Sequence, residues 1–365
     1  MRALRLDRGG GGGQAGAMDS LTPLLGTDRA YMENLALELG QAAYRGRQLF
    51  HWVYRRRVPD FTQMGNLPGA FRDALAERHT PGAIPPVRVN ESDDGTRKYL
   101  FPTQHGGFVE SALIPDGDRL TLCLSTQVGC RRSCTFCQTA RQGFQGNLAP
   151  GEILNQYHSV PEQPQISNIV YMGMGEPLDN PEAVAASLRL FIDPEGYALP
   201  ARRITLSTVG IHPQLGDFLR DEGLSGISLA VSLHSPFPEE RRRIMPVENA
   251  NPIEETLRLI REGREDRKRR VSFEYTMFDG VNDSPRHVDG IARLLNGLSV
   301  RINLIPFHEL EGTSLRPTAR EGIEDFAERL RAKGFRTSVR NSRGQDINAA
   351  CGMLWTRHVA DLQAG

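Results

Sequence analysis

Residues 121–138 read "TLCLSTQVGCRRSCTFCQ". An apolar, strand-like run passes directly into three cysteines, Cys130, Cys134 and Cys137, spaced C-x3-C-x2-C. Five further runs of strand character follow: "SNIVYMGM", "RITLSTVG", "GISLAVSLH", "RVSFEYTMF" and "RINLIPF". Helix-length segments alternate with them and begin near Pro150, Asn180, His212, Asn251, Ser284 and Thr318. Three of these open on Asn or Ser before Pro ("NPEAV", "NPIEE", "SPRHV"), which predicts a cap followed by proline in the first turn. Six β-then-α units predict an α/β fold with a parallel sheet and helices outside, open or closed into a partial (β/α)6 barrel. Such a barrel carries its chemistry at the C-terminal ends of the strands, where the cysteine loop stands.

Outside that region the pattern changes. Residues 9–13 are five glycines, so 1–20 reads as a disordered tail, with Met18 an alternative start. Residues 21–85 carry apolar residues at helical spacing and predict a small helical domain, with stops at Gly40 and Pro59. Residues 86–118 read as a β-rich linker with a hairpin turn at Asp94-Gly95. The barrel is expected over 119–356, with a short tail at 357–365.

Composition sets limits on function. The chain has 365 residues, 39% hydrophobic and 24% charged, with 44 basic against 44 acidic side chains. A balanced charge confines any polyanion contact to local patches. No apolar run is long enough to span a membrane, and the first twenty residues lack the apolar segment of a secretory signal. Five cysteines, sparse and odd in number, point to a reducing, cytoplasmic setting in which clustered thiols bind metal or do chemistry.

Three thiolates are one fewer than a structural zinc or a fully ligated [4Fe–4S] cluster takes. A cubane held this way keeps one iron open to an external ligand. The alternatives are a zinc site completed by Cys123 or a distant histidine, and three loop cysteines without a ligand. At the ends of later strands stand "GMGEP" with Gly175 and Glu176, Ser207, the run Ser232, Leu233 and His234, and "NLIPFH" with His308. Polar residues at successive strand ends trace the wall of one site.

The three-cysteine loop, with an aromatic before its last cysteine and a Gly-Glu turn after the next strand, resembles the radical S-adenosylmethionine superfamily. "TLCLSTQVGCRRSCTFC", "QGFQGNL", "VYMGMGEPLDN", "RITLSTVG", "VSLHSP", "EYTMFDGVND", "INLIPF" and "RGQDINAACG" together resemble the RlmN/Cfr family of RNA adenine methyltransferases. That resemblance implies a [4Fe–4S] cluster on Cys130, Cys134 and Cys137. It implies S-adenosylmethionine bound by Gly175, Glu176, Ser207, Ser232, Leu233, His234 and His308. It implies that Cys351 carries a methyl group, that Glu110 accepts the ring proton, and that Cys123 resolves a protein–RNA adduct by forming a disulfide with Cys351. The implied product is C2-methyladenine in 23S rRNA at the peptidyl transferase centre, with the tRNA adenine beside the anticodon as a second target. C8 methylation and a zinc-stabilised RNA-binding protein are the competing readings. The implied electron donor is of flavodoxin or ferredoxin type. Two positions depart from the family pattern: His308 replaces an Asn that helps bind S-adenosylmethionine, and Asn348 replaces an Asp.

Two basic stretches are candidates for RNA contact. "YRGRQLFHWVYRRR" at 44–57 interleaves arginines with Tyr44, Phe50, Trp52 and Tyr54, and "REGREDRKRR" occupies 261–270. Each has a plainer reading, as an amphipathic helix burying its aromatics and as cations at a helix C-terminus.

Overall fold

The computed structural model describes residues 21–263, 270–310 and 312–356. The tails at 1–20 and 357–365, and most of the basic run at 261–270, lie outside the described residues. The largest element is a ten-stranded sheet. Its strands are β1 (Arg88–Glu91), β2 (Arg97–Pro102), β3 (Phe108–Asp116), β4 (Arg119–Cys123), β5 (Asn168–Tyr171), β6 (Ile204–Thr208), β7 (Ser228–Ser232), β8 (Val271–Met277), β9 (Arg301–Pro306) and β10 (Arg336–Val339). Strands β4 to β10 pair parallel in chain order, and β1 to β4 pair antiparallel.

Two features differ from the sequence expectation. The segment read as a linker is three strands of the same sheet, because Tyr99, Phe101, Val109 and Leu113 are apolar side chains that the sheet must cover. A seventh parallel strand, β10, follows the six expected ones. Its sequence "RTSV" is four residues long, half-exposed and at an edge, so it carries almost no apolar signal.

Helices connect the parallel strands: α4 (Gln138–Arg141) and α5 (Pro150–His158) before β5, α6 (Pro181–Ile192) before β6, α7 (Gln214–Arg220) before β7, α8 (Pro238–Ile244) and α9 (Ile253–Glu262) before β8, α10 (Pro285–Leu294) before β9, and α11 (Arg320–Ala332) before β10. In β8, Val271, Phe273, Tyr275 and Met277 alternate with Ser272, Glu274 and Thr276. Tyr275 stacks on Phe326 of α11 at 5.6 Å, so the apolar set packs under the helices and the polar set faces the concave side. Of the expected Asn/Ser caps, Asn180 and Ser284 occupy the N-cap position before a proline, only Ser284 with a side-chain capping bond, and Asn251 stands one residue before its cap. Asn180 instead donates to the Thr126 and Leu148 carbonyls, and Asn251 accepts from the His212 amide.

The N-terminal helices α1 (Arg29–Glu38), α2 (Tyr44–His51) and α3 (Gly69–Ala76) share one continuous hydrophobic core with the barrel. Tyr54, just past α2, fixes the junction. Its hydroxyl accepts from the Gly26 amide at 2.9 Å and donates to the Thr27 carbonyl at 2.7 Å. Its ring meets Tyr197 edge-on at 5.4 Å, and Tyr197 bonds His158 of α5. The aromatics Phe50 and Tyr54 of the candidate RNA segment are therefore core residues. Of its arginines, Arg47 pairs with Glu33, while Arg55 and Arg57 donate to the carbonyls of Pro194 and His158.

The order of strands is linear, so β1 and β10 are open edges. The chain after β10, residues 340–356, spans between them. The Gly344 amide donates to Asp94 Oδ2 (2.8 Å) and Ser92 Oγ donates to Asp346 Oδ1 (2.6 Å), both in the β1–β2 turn. Gly344 has φ +64, and a Cβ there would stand 2.8 Å from side-chain atoms of Thr96 and Ala349. Burial opposes the charge on Asp94, but bonds from Thr96, the Gly344 amide and Ser92 outweigh it and hold its pKa down at about 2.

Arg241 of α8 is fully buried and locks the strand ends together. It pairs with Glu248 and donates to the carbonyls of Val209 after β6, Ser232 at the end of β7, and Leu233.

Two outcomes follow. Arg241→Met leaves Glu248 buried and uncompensated, and urea unfolding should show a loss of about 3–5 kcal/mol. For Asp94, the folded pKa lies below the ordinary 3.8, so its stabilisation is present above that value and is lost as pH falls through about 2. Melting temperature measured between pH 4 and 2 should fall less steeply in Asp94→Asn than in the parent.

Candidate active site

The cysteine loop leaves the sheet after β4 and folds back against the chain before α5. Gly129 makes the turn at φ +73, and a Cβ there would lie 1.6 Å from the Gly143 carbonyl oxygen. Ser133 is also left-handed, at φ +54, which lets the loop wrap inward. Burial raises all three thiols: Cys130 is pushed up to about 12, Cys134 well above the ordinary thiol value, and Cys137 upward against opposing amides of Ala140 and Thr139. Each thiolate would also feel another of the trio or a nearby charge, since Cys137 raises both Cys130 and Cys134. Among the described residues no three ligating side chains converge on a single ion. Three thiols on one short loop suit a cluster, in which each sulfur binds a different iron and a fourth iron stays open, better than a structural zinc, which takes four ligands. Loading the cluster displaces thiol protons. Arg132 grips Asp179 with two nitrogens and ties the loop to the turn after β5.

That turn carries Gly175 and Glu176. Gly175 packs on Gln127, whose Oε1 accepts from the Glu176 amide at 2.9 Å. The Glu176 carboxylate is buried, with Oε1 accepting from the Leu178 amide and Oε2 from the Val209 amide, each at 2.9 Å. Burial wins over these bonds and lifts its pKa to about 7. The turn is therefore fastened to the end of β6, where Ser207 is half-buried.

His234 follows β7 in a left-handed conformation, φ +53. Its Nδ1 accepts from the Thr276 amide at 2.9 Å, so the neutral ring carries its proton on Nε2. Burial, and then the charge of Arg241, push its pKa down to about 3 and keep it neutral. Its ring meets Phe136 of the cysteine loop at 4.7 Å. Leu233 has its side chain in the core, its amide on the Glu274 carbonyl and its own carbonyl on Arg241. Ser232 stands in register with Glu274, Glu274 with Asn303, and Asn303 with Ser338. Side-chain bonds run along this row, from Asn303 to Glu274 (2.7 Å) and from Ser338 to Asn303 (2.6 Å). His308 bonds Ser342 Oγ through Nε2 at 2.6 Å, and burial lowers its pKa.

Cys351 lies on the closing segment. The Gln138 amide donates to the Gly352 carbonyl and Thr139 Oγ1 to the Leu354 carbonyl, both at 2.7 Å, which docks the segment on the cysteine loop. Cys351 is exposed, and desolvation by the surrounding chain raises its thiol pKa, with the charge of Arg340 opposing. Cys123 is buried at the end of β4 beside Ala112, Ile347 and Ala349. Burial and then Cys351 raise its thiol, so the two sulfurs sense one another. All five cysteines are free thiols. The expected disulfide between Cys123 and Cys351 is thus no part of the resting fold. An S–S bond there would be a product of turnover, and a reducing setting returns it to thiols.

Glu110 is buried on β3 and points to the same segment. Its Oε2 accepts from the Trp355 amide at 2.8 Å, and its Oε1 lies 3.0 Å from Lys98 Nζ. Lys98, Glu274, Arg241 and the Arg132–Asp179 pair escaped the reading by motif. Lys98 and Glu274 meet their partners on neighbouring strands, Arg241 reaches Glu248 and the ends of β6 and β7 from α8, and the Arg132–Asp179 pair joins the cysteine loop to the turn after β5.

Residues 124–291 match the family model described as Radical SAM superfamily, and residues 22–80 match the Ribosomal RNA large subunit methyltransferase N-terminal domain. A probable dual-specificity RNA methyltransferase RlmN of Porphyromonas gingivalis is 50% identical over 91% of this chain and 96% of its own. Its counterpart in Thermus thermophilus is 44% identical over 88% of this chain and 92% of its own. A crystal structure of a radical SAM methyltransferase from Sphaerobacter thermophilus superposes with a TM-score of 0.87 at 39% identity, covering 92% of this chain and all of that one. With the cysteine loop, the Gly-Glu turn and the strand-end residues all inside the matched length, the chain belongs to the RlmN/Cfr family of radical S-adenosylmethionine RNA methyltransferases.

Proposed function

We propose that this protein methylates a ring carbon of adenine in RNA, with C2 of an adenine in 23S rRNA as the target and tRNA as a second substrate. The observation that supports it most is the meeting of Cys123, Cys351 and Glu110 at one mouth of the barrel, beside the three-cysteine loop. The large-subunit rRNA methyltransferase domain matched at residues 22–80 supports the rRNA, and the dual specificity named for the relatives supports a second RNA.

Cys130, Cys134 and Cys137 would hold a [4Fe–4S] cluster with one iron open. Glu176, Ser207, Ser232, His234 and His308 surround the space for S-adenosylmethionine, with Gly175 and Leu233 shaping it through their backbone. When bound, the two together supply a transferable methyl group and, after one-electron reduction by a flavodoxin or ferredoxin type donor, an acceptor for a hydrogen atom. An sp2 ring carbon is a weak nucleophile toward a sulfonium, which is why the carbon must travel by way of a cysteine.

Cys351 receives the methyl group on sulfur and gives up its thiol proton. Loss of a hydrogen atom from that methyl lets the carbon bond to the adenine ring, joining protein to RNA. The adduct radical then gives up one electron, which the cluster would take back, and Glu110 takes the proton from the ring carbon, restoring the aromatic ring. Cys123, as its thiol proton leaves, attacks the Cys351 sulfur, so that an S–S bond forms as the carbon–sulfur bond breaks, and the released carbon takes up a proton to become the methyl group. Among the described residues no helix is long and apolar enough to cross a membrane. The rRNA substrate places the reaction in the cytoplasm.

Cys123→Ala should accumulate a covalent protein–RNA species on denaturing gels, and Cys351→Ala should lose methyl transfer entirely. RNA that runs free with Cys123→Ala sinks the resolving role. Nucleoside mass spectrometry after anaerobic reaction on rRNA and tRNA should yield 2-methyladenosine, and 8-methyladenosine in its place would move the target to C8.

A further inference from the structure

Two side chains hold the Cys351 segment on both sides of its cysteine. Lys98 on β2 and Glu110 on β3 lie on neighbouring strands, with Leu100 opposite Glu110 and Lys98 opposite Ala112. In antiparallel pairing, Lys98 and Glu110 thus share one face and stand diagonally, within reach of long side chains. Their ion pair measures 3.0 Å and is largely buried, with side chains 12% and 8% exposed. Lys98 Nζ also donates to the Asn348 carbonyl at 3.4 Å, three residues before Cys351. Glu110 Oε2 accepts from the Trp355 amide at 2.8 Å, four residues after it. Asn348 itself sits in the left-handed region at φ +53, a turn that the surrounding contacts must hold.

We propose that Lys98 is a positioning residue that couples proton uptake by Glu110 to release of the Cys351 segment, a step that rests on Glu110 as the proton acceptor. When the ring C–H bond breaks, its electron pair stays with the adduct and an O–H bond forms on Glu110. The carboxylate thereby loses the charge that faces Lys98. It also becomes a weaker acceptor for the Trp355 amide, because charge-assisted bonds are about twice as strong as neutral ones. Both holds on the segment weaken in the same event. The contacts of Gly344 with Asp94, of Asp346 with Ser92 and of Leu354 with Thr139 do not involve Glu110 and remain. Release is therefore local to the turn that bears Cys351. Ile347 and Ala349 of that turn already pack against Cys123, so a small movement carries one sulfur to the other. Proton removal comes before resolution in the reaction, and this linkage enforces that order.

Hydrogen–deuterium exchange on the full-length, cluster-loaded protein tests it. Glu110→Gln imitates the protonated carboxyl, and Lys98→Met removes the cation. Both should speed exchange in peptides spanning 347–355 by roughly tenfold or more, while the peptide that holds Gly344 keeps its protection. Lys98→Arg should restore the slow exchange. In turnover assays Lys98→Met should still methylate Cys351, seen as one added methyl in the intact mass, and should clear the protein–RNA adduct at least as fast as the parent, because the hold that release must overcome is already gone. Unchanged exchange at 347–355 in both Glu110→Gln and Lys98→Met overturns the coupling, even where the adduct accumulates in Glu110→Gln. Normal adduct clearance by Glu110→Gln overturns the proton-acceptor reading instead, and the coupling falls with it.

Discussion

A sheet that stops short of closing has two unpaired edges, and the organisation of this molecule follows from how that gap is filled. Strands β1 and β10 are the edges, and the stretch 340–356 lies across the opening, hydrogen-bonded to the β1–β2 turn on one side and to the cysteine loop on the other. The segment has neither helix nor strand to hold it, so its shape depends on side chains supplied by both neighbours. Cys351 is set at the mouth by this arrangement. The element that seals the barrel is also the one that bears the proposed methyl carrier.

Burial fixes the protonation of the groups around that mouth before any ligand arrives. The thiols are neutral because a thiolate would lack solvation, and His234 is a neutral donor through Nε2 because its Nδ1 is engaged. Glu176, held near pH 7 by the same desolvation, is poised to be charged by any cation that comes close. A cluster, a sulfonium cofactor and an ammonium group each reverse one of these penalties. The empty-handed protein thus avoids concentrating negative charge in its interior, and binding supplies the countercharges.

Much of the fold was legible because alternation of strand and helix is a local, repeated signal, and the cysteine loop is a short motif. Residues 86–118 were misjudged because nothing local distinguishes a free hairpin from one that extends a neighbouring sheet. Strand β10 was missed since four half-exposed residues show no period. Asn180 and Asn251 have the composition of caps, yet their side chains satisfy carbonyls and an amide from other elements. Phe50 and Tyr54 show why interleaved aromatics and arginines are ambiguous: the same pattern serves a helix that buries one face. Within the site, motif residues were readable, but the residues that hold them, Lys98 and Arg241 above all, were not. Lys98 meets its partner on the neighbouring strand, and Arg241 works through carbonyls at two strand ends, neither of which a local motif displays.

The junction at Tyr54 has a consequence for the order in which the chain can mature. Tyr197, which meets Tyr54 edge-on, follows it by more than a hundred residues, so the helices before Tyr54 cannot complete their core until the chain through α6 has folded. The segment bearing Cys351 comes after every strand of the sheet. The cysteine loop can therefore assemble before its cover does, and it is closed over only when both edge strands are in place.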